Sequence, residues 1–559
     1  MNSCICIAQT VKELKFLLSK SNKDLLIVPL DLEVQIFCLK NNLKFLNPID
    51  YLDKQFHQKA LVESENLIKK IKFKNLDYKS NKLIAETFIR FRFNSIFFIK
   101  YLIGQICKKN NINEIILSGW DSYDKEYSLD NYHITEIIKC FFNNKKIIIL
   151  SKNNRSKKKI TSIYKEAFIN NLNLNNKKKN ILISNLGYNL FRFIKAFKRN
   201  YNIIIPENEH IGFIKKIILT LFFNVHFLRY SYKHKKNLNI KKPKIKIDYK
   251  NKKINKFLTK RFNQEIINLV NLKFKFFAID KMFEKINFFL VISHNVRGDN
   301  GYYLEKANKL NINSVCVPHG TVSKNFNKYD KIYKKVIADS VIFDKTKFVA
   351  SQSKITNNFL KTKNILSKKT INTGNLIFAE IRKKEDFKRN ILFAVTLKKF
   401  FNIQFLGVEA FYEFLDNLKF LNNFSSQNKI KILVNLHPAA KDSLIDLKEI
   451  FPNLIFKNEK IDKVLKKVNV TLSFSSTVIE DSLNSKIPVI LFDRWKRYQH
   501  CEAQKNFFKK NSSIYYVDKE ENLIKCLNTI CNSRHISYKK HTFIGNSNKN
   551  IEKFIHSLK

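Results

Sequence analysis

Glycine and proline are scarce in this chain, with 10 and 8 residues among 559, and methionine and tryptophan are scarcer still at 2 each. That scarcity excludes collagen-like repeats, Gly/Ser linkers and proline-rich docking segments. Acidic side chains are also short: 47 Asp and Glu stand against 103 Lys and Arg, a formal net charge of +56. The nine cysteines (4, 6, 38, 107, 140, 316, 501, 526, 531) are odd in number and widely scattered, with no CxxC pair. A disulfide framework or zinc site is therefore not expected, and reduced thiols of a cytosolic protein are. Cys4 and Cys6 fall in a predicted strand, where they share a face.

No apolar run reaches the roughly 18 residues that a membrane-spanning helix needs. The nearest, IILTLFFNVHFL at 217–228, has 12 residues and follows Lys215 and Lys216. It reads as a buried helix, with an interfacial helix as the alternative. The opening MNSCICIAQTVKELKF lacks the charged start and long apolar core of a signal peptide. There is no Walker loop, no GxGxxG, no DxD beside a strand and no His/Asp/Glu set with metal spacing. Metal-independent chemistry without a bound cofactor is the expectation.

What the chain does have is 50 Phe with abundant Lys, Asn and Ile. That bias is the one A/T-rich codons impose. The positive charge is spread along the whole chain rather than gathered in a recognisable nucleic-acid module, so nucleic acid is not the expected partner. A basic surface still suits anionic partners, including acidic lipid headgroups and phosphorylated donors. The length suggests two to four domains at roughly 100–200 residues each.

Apolar β-like runs alternate with amphipathic stretches, the pattern of α/β domains with parallel sheets. CICIA (4–8), LLIVPL (25–30), EIILSG (114–119) and KIIIL (146–150) read as strands, and 10–20, 57–72 and 85–109 as helices. Strands follow at 181–185, 201–205, 288–295, 314–320 and 336–343, with INTGN (371–375) as a connection between lobes. Segment 233–256 is the most lysine-dense and reads as an exposed linker, or as a membrane-contacting loop. The pattern restarts with strands at 391–396, 431–436, 454–458, 470–475 and 488–493 and helices at 405–420, 442–450, 461–468 and 476–485. The expected division is an N-terminal α/β region at 1–150, the rest of the N-terminal lobe at 151–375, a donor-binding lobe at 376–535 and a C-terminal tail or helix at 536–559.

Two turns after β-like runs stand out: His437-Pro438 in KILVNLHPAA and Ser475-Ser476-Thr477 in VTLSFSSTVIEDSLN. Pro438 restricts the backbone of His437 and fixes where its imidazole points. The serines offer two hydroxyls beside a helix start, where they serve as caps and can also bind phosphate. The 38 residues between 437 and 475 fit two neighbouring parallel strands. Glu480 and Asp481 fall one turn on, where a carboxylate accepts hydrogen bonds from a ribose. On the other half, Pro318-His319-Gly320-Thr321 is a tight turn whose His319 suits general-base work on an acceptor hydroxyl. Asp299 in VRGDNGYY is the alternative base. His294 and Trp120-Asp121 are acceptor-side candidates.

These motifs resemble two-lobed transferases of the GT-B architecture, closest to CDP-glycerol glycerophosphotransferases and bacterial sialyl- or polysialyltransferases. The resemblance covers about 290–500 well and the first 280 residues poorly. It implies an α/β fold of two Rossmann-like lobes with parallel sheets facing a cleft. In the former group an HGT turn is catalytic, matched by His319-Gly320-Thr321. In both, the His of an HP turn and a serine pair contact the donor phosphate, matched by His437 and by Ser475-Ser476. Leu472-Ser473-Phe474 departs from the Thr-Asp-Tyr of the glycerophosphotransferases, and Glu480 stands where they carry Asp. The implied protein is a cytoplasmic transferase of surface-polysaccharide synthesis, peripheral on the inner face of the plasma membrane. It would use a nucleotide-activated donor, CMP- or CDP-linked, and a carbohydrate or lipid-linked acceptor. A nucleotide-sugar epimerase on the same fold, and a non-enzymatic nucleic-acid- or membrane-binding protein, remain as alternatives.

Overall fold

The computed structural model describes residues 4–21, 25–52, 54–75, 79–120, 131–151, 164–186, 190–207, 211–234, 244–249, 251–266, 270–296, 298–318, 322–342, 346–362, 369–374, 376, 390–394, 410–436, 444–543 and 547–558. In chain order the strands of the first part are β1 (Cys4–Ala8), β2 (Leu26–Pro29), β3 (Lys72–Lys74), β4 (Glu114–Leu117) and β5 (Lys146–Ile149). The middle part holds β6 (Tyr164–Ile169), β7 (Lys179–Ile183), β8 (Tyr201–Pro206), β9 (Val225–Leu228), β10 (Tyr230–His234), β11 (Lys244–Lys246), β12 (Phe288–Ser293), β13 (Asn313–Cys316), β14 (Phe348–Ser351) and β15 (Thr370–Asn372). The last part holds β16 (Asn390–Ala394), β17 (Lys431–Asn435), β18 (Ile455–Lys457), β19 (Val470–Ser473), β20 (Val489–Phe492) and β21 (Ile514–Val517).

Three parallel sheets result, ordered β2-β1-β4-β5, β15-β14-β13-β12-β7-β8-β9 and β18-β17-β16-β19-β20-β21. Their strands are short, nearly continuous apolar runs, as a sheet covered on both faces requires. In each sheet the chain runs outward one way, then returns to the centre and runs outward the other way. Each therefore has a switch point where ligands of open α/β sheets bind, beyond the carboxyl ends of the central strands. The first sheet lies within 4–149, the middle one within 179–372 and the third within 390–517.

The first sheet is separate from the middle one and shares its core with the third. Ile5 and Ile7 of β1, Phe93 and Phe97 of the helix Lys79–Lys109, and Phe411 and Phe414 of the helix Phe411–Asn428 belong to one buried cluster. Phe98 stacks on Tyr412 at 6.0 Å. The C-terminal helix Ser547–Ser557 crosses back to the middle sheet, where Ile551, Phe554 and Ile555 are buried.

Other segments differ from the sequence reading. Residues 336–342 do not form a strand: Lys328–Val341 is a helix, capped by Asn327, whose side chain accepts from the Tyr329 and Asp330 amides. A short apolar run does not distinguish the two structures, and the cap decides for helix. Residues 370–372 are not a connection but the edge strand β15. The lysine-rich 233–256 is not a free linker in its described part: β11 pairs with β3, and Ile245 and Ile247 are buried in the core shared by the first and third sheets.

All three sheets meet at one buried polar junction. Arg497, 2% exposed, donates through Nε to Glu413 Oε1 at 2.9 Å and through its second nitrogen to Oε2. Its remaining nitrogen reaches Tyr333 Oη at 3.1 Å, and that hydroxyl lies 3.2 Å from His57 Nδ1. Beside it, Lys334 donates to the carbonyls of Lys324 at 2.6 Å and Gln499 at 2.9 Å. His57 comes from the first sheet's helices, Tyr333 and Lys334 from the middle, and Glu413 and Arg497 from the third. Burial works against the Arg497 charge, but Glu413 more than offsets it and holds the pKa above the ordinary arginine value. Burial pulls Lys334 down to about 8 and pushes Asp493 up to about 6.

Glu413→Gln leaves Arg497 buried without its counter-charge and should cost about 3–5 kcal/mol. Denaturant unfolding of the full chain measures this, and an unchanged midpoint would show that the pair does not hold the sheets.

Among the described residues burial also lowers four histidines: His500 to about 3, His541 to about 4, His57 well below 6.5, and His226 below its ordinary value. Each excludes in the fold a proton that the unfolded chain takes up below 6.5, so each loses stability as pH falls. Asp493 acts oppositely between 3.8 and 6. With four histidines against Asp493 and Asp330, whose carboxyl burial also raises, the melting temperature should fall between pH 7 and pH 5, and His500→Gln should flatten that slope. A level profile in the parent chain contradicts the assignment.

Candidate functional site

At the third sheet's switch point, Ala394 of β16 is in register with Asn435 of β17 on one side and Ser473 of β19 on the other. The strands before His437 and Ser475 are thus not neighbours, as their spacing had suggested; β16 lies between them. Ser473, fully buried, donates to the Ala394 carbonyl at 3.1 Å and accepts from the Ser476 amide at 3.3 Å. Ser476 Oγ accepts from the Val478 amide at 3.2 Å. The N-cap residue of the helix Val478–Asn484 is the exposed Thr477, which makes no side-chain cap bond; the preceding Ser476 takes the first helical amide in its place, and Ser475 is half-buried. Phe474 points back into the junction, packed with Tyr333 and Tyr498, with the Arg497 guanidinium 5.5 Å from its ring centre. The serine turn is therefore stapled at both ends, to β16 and to the buried arginine.

The middle sheet has a second polar set at its own switch point. Ser184, just after β7, donates from Oγ to Ser293 Oγ at 2.9 Å across to β12. His294 follows β12, with its Nε2 2.9 Å from the Asn295 side-chain nitrogen and 3.3 Å from that of Asn185. Asn185 also reaches Asn300 at 3.5 Å. Sequence reasoning found His294 and missed Ser184, Asn185 and Asn295, which only the pairing of β7 with β12 brings together. Asp299 sits in the first turn of the helix Gly298–Lys309, half-exposed, 3.8 Å from Lys275.

The carboxyl edges of the middle and third sheets face each other. Ser353, just after β14, donates to Glu480, just after the serine turn. Ser323, beyond β13, donates to the His500 carbonyl, beyond β20. Glu480, a candidate ribose acceptor in the sequence, thus spans the two lobes.

His319, Gly320, Thr321, His437, Pro438 and Asp121 lie outside the described residues. Their flanks are placed. Pro318 accepts from Gln352 Nε2 at 3.0 Å, and Val322 and Ser323 are buried. Leu436 is buried and donates from its amide to Lys457 at 3.0 Å, at the carboxyl edge of the third sheet.

The first sheet's switch point is filled from within. Glu13 accepts from the Gln9 amide at 2.7 Å and from Ser118 Oγ at 2.5 Å, as a carboxylate in the helix's own first turn. Trp120 packs against Phe16 beside it, the ring centres 4.8 Å apart and the planes tilted by 39°. Gly119 there has φ +70, and a Cβ would meet Ile149 at 2.3 Å. Among the described residues, no group of three or more His, Cys, Asp or Glu is arranged to hold a metal ion.

No family profile matches this chain, and no curated protein matches it. Among solved structures it is similar to the UDP-GlcNAc 2-epimerase of Methanocaldococcus jannaschii, at 16% identity and TM-score 0.38, covering 68% of this chain and 99% of that one. It is similar also to that of Neisseria meningitidis, at 12% and 0.39, covering 68% and 99%. A variant of the wall teichoic acid polymerase TagF matches at 11% and 0.34, covering 69% and 90%. Likeness at this level bears on neither substrate nor reaction.

Ser476→Ala should lower stability by about 1 kcal/mol, the cost of a lost helix cap. Denaturant unfolding measures it, and no loss would mean that the hydroxyl does not cap.

Proposed function

We propose that this protein is a transferase that moves a sugar or polyol phosphate from a nucleotide-activated donor to a hydroxyl acceptor, in the synthesis of a surface polysaccharide. The supporting observation is that the switch points of the middle and third sheets face each other edge to edge, each lined by fixed polar groups, while that of the first sheet is filled by Glu13. Two substrates that must react together need two such sites facing one another.

In this reading the third sheet takes the donor, and the turn Ser475-Ser476-Thr477, with His437-Pro438 and Glu480, meets its nucleotide and phosphate. The middle sheet takes the acceptor against Gly320, Thr321 and His294. The acceptor oxygen forms the new bond to the donor's reacting carbon or phosphorus. The bond to the nucleotide breaks, and the nucleotide leaves with the electron pair. His319, or Asp299 as the alternative, takes the hydroxyl proton. His437 and the serine turn stabilise the charge on the departing phosphate, the kind of preorganised electrostatic help that dominates such reactions.

A thermal-shift screen of the full chain against CMP, CDP, UDP and GDP tests the donor site. A nucleotide at about 100 times its dissociation constant should add about 2.7 kcal/mol of stability. No shift with any of the four contradicts the reading. Turnover of a nucleotide sugar with no acceptor present would replace transfer with epimerisation. His437→Ala should slow transfer by about 10²-fold or more with the fold intact, and near-parental turnover would remove His437 from the mechanism.

A further inference from the structure

The run at 217–228, read from the sequence as a buried helix, is instead the end of a helix with its apolar side outward, Phe213–Phe223, followed by the strand β9. Phe213–Phe223 buries only Leu219 fully, and Phe223 partly, against the middle sheet's core. Phe213 is 77% exposed, Ile214 74%, Ile217 41%, Ile218 45%, Leu221 72% and Phe222 68%. At 100° per residue these six positions form one continuous stripe over half the helix circumference. They contain six of the eleven large apolar side chains found exposed among the described residues. A single exposed Leu is ordinary, but a contiguous patch of this size on one helix marks a surface that is covered in use.

What covers it is read from the charges around it. Lys215 stands exposed on the helix itself, Lys195 on the adjacent helix Phe191–Phe197, and Arg199 just past that helix's end. Lys198 lies over the Phe223 ring at 5.5 Å. Among the described residues nearby, the acid Glu207 is already engaged by Lys216 and Arg229. A two-fold contact between two copies would press this basic rim against itself. An anionic lipid surface satisfies both features at once, taking the phenylalanines and leucine among its acyl chains and the lysines and arginine at its headgroups. Among the described residues no helix is long and apolar enough to cross a membrane, so this contact would lie in the interface.

We infer that the helix Phe213–Phe223 docks the protein on an anionic bilayer by inserting its outward apolar stripe. The inference stands apart from the donor site, since its test uses no nucleotide. The full chain is floated with phosphatidylcholine vesicles with and without phosphatidylglycerol, at about 0.15 M salt, where long-range attraction from the net charge is screened. The parent chain should bind the phosphatidylglycerol vesicles. The triple variant Ile214→Ser, Leu221→Ser, Phe222→Ser keeps every charge and should bind on the order of a hundredfold more weakly. It should melt with the parent, because these side chains are exposed. Absence of parental binding, or undiminished binding by the triple variant, overturns the proposal. So does a parental dimer, seen by sedimentation without lipid, that the variant abolishes. As a second readout in the full chain, Leu221→Trp should shift its emission to the blue on vesicles and be quenched by lipids brominated in their acyl chains. Emission unchanged by vesicles overturns the insertion.

Discussion

One buried ion pair governs how this molecule is put together. Arg497 and Glu413 are both almost wholly out of water, and they hold one another through two hydrogen bonds. An unpaired charge in that place would be intolerable, so the pair fixes the position of everything attached to it. Attached are Tyr333 from the middle sheet, His57 from the first and Phe474 from the turn that leads into the serines. The same neighbourhood keeps His500 and His57 neutral, because burial and the nearby positive charges both oppose protonation.

The consequence is a defined separation of two edges. With the lobes tied beside Lys334 and Ser323, the carboxyl ends of β12–β14 and of β16, β19 and β20 are held opposite each other. The serine turn belongs to this framework: Ser473 is bonded to β16, and Phe474 lies in the junction itself. Its amides and hydroxyls are thus positioned before any ligand arrives, the condition under which fixed dipoles are effective.

Much of this was legible in the residues. Parallel strands buried on both faces leave unbroken apolar runs, so CICIA, KILVNL and VTLSFS read correctly as strands. Strand order was not legible. The insertion of β16 between β17 and β19 depends on crossovers that leave no local mark. Nor was the junction legible, since Arg497 and Glu413 stand 84 residues apart and look like any surface charges in a basic chain. The helix at 213–223 is apolar nearly all round, a pattern shared by buried and interfacial helices, and only its packing shows which side chains face out. The run at 336–343 failed for a related reason, a strand-like composition overruled by the Asn327 cap.

The central claim is that a nucleotide's phosphate settles at the third sheet's switch point, facing the middle sheet. Hydrogen exchange of the full chain, with and without the nucleotide that stabilises it, tests this most directly. The account predicts slowed exchange at the Ser476 and Val478 amides and across the facing segments that follow β12 and β14. A nucleotide that binds and instead protects the first sheet's β1 and β4 ends, leaving the serine turn unchanged, would contradict it.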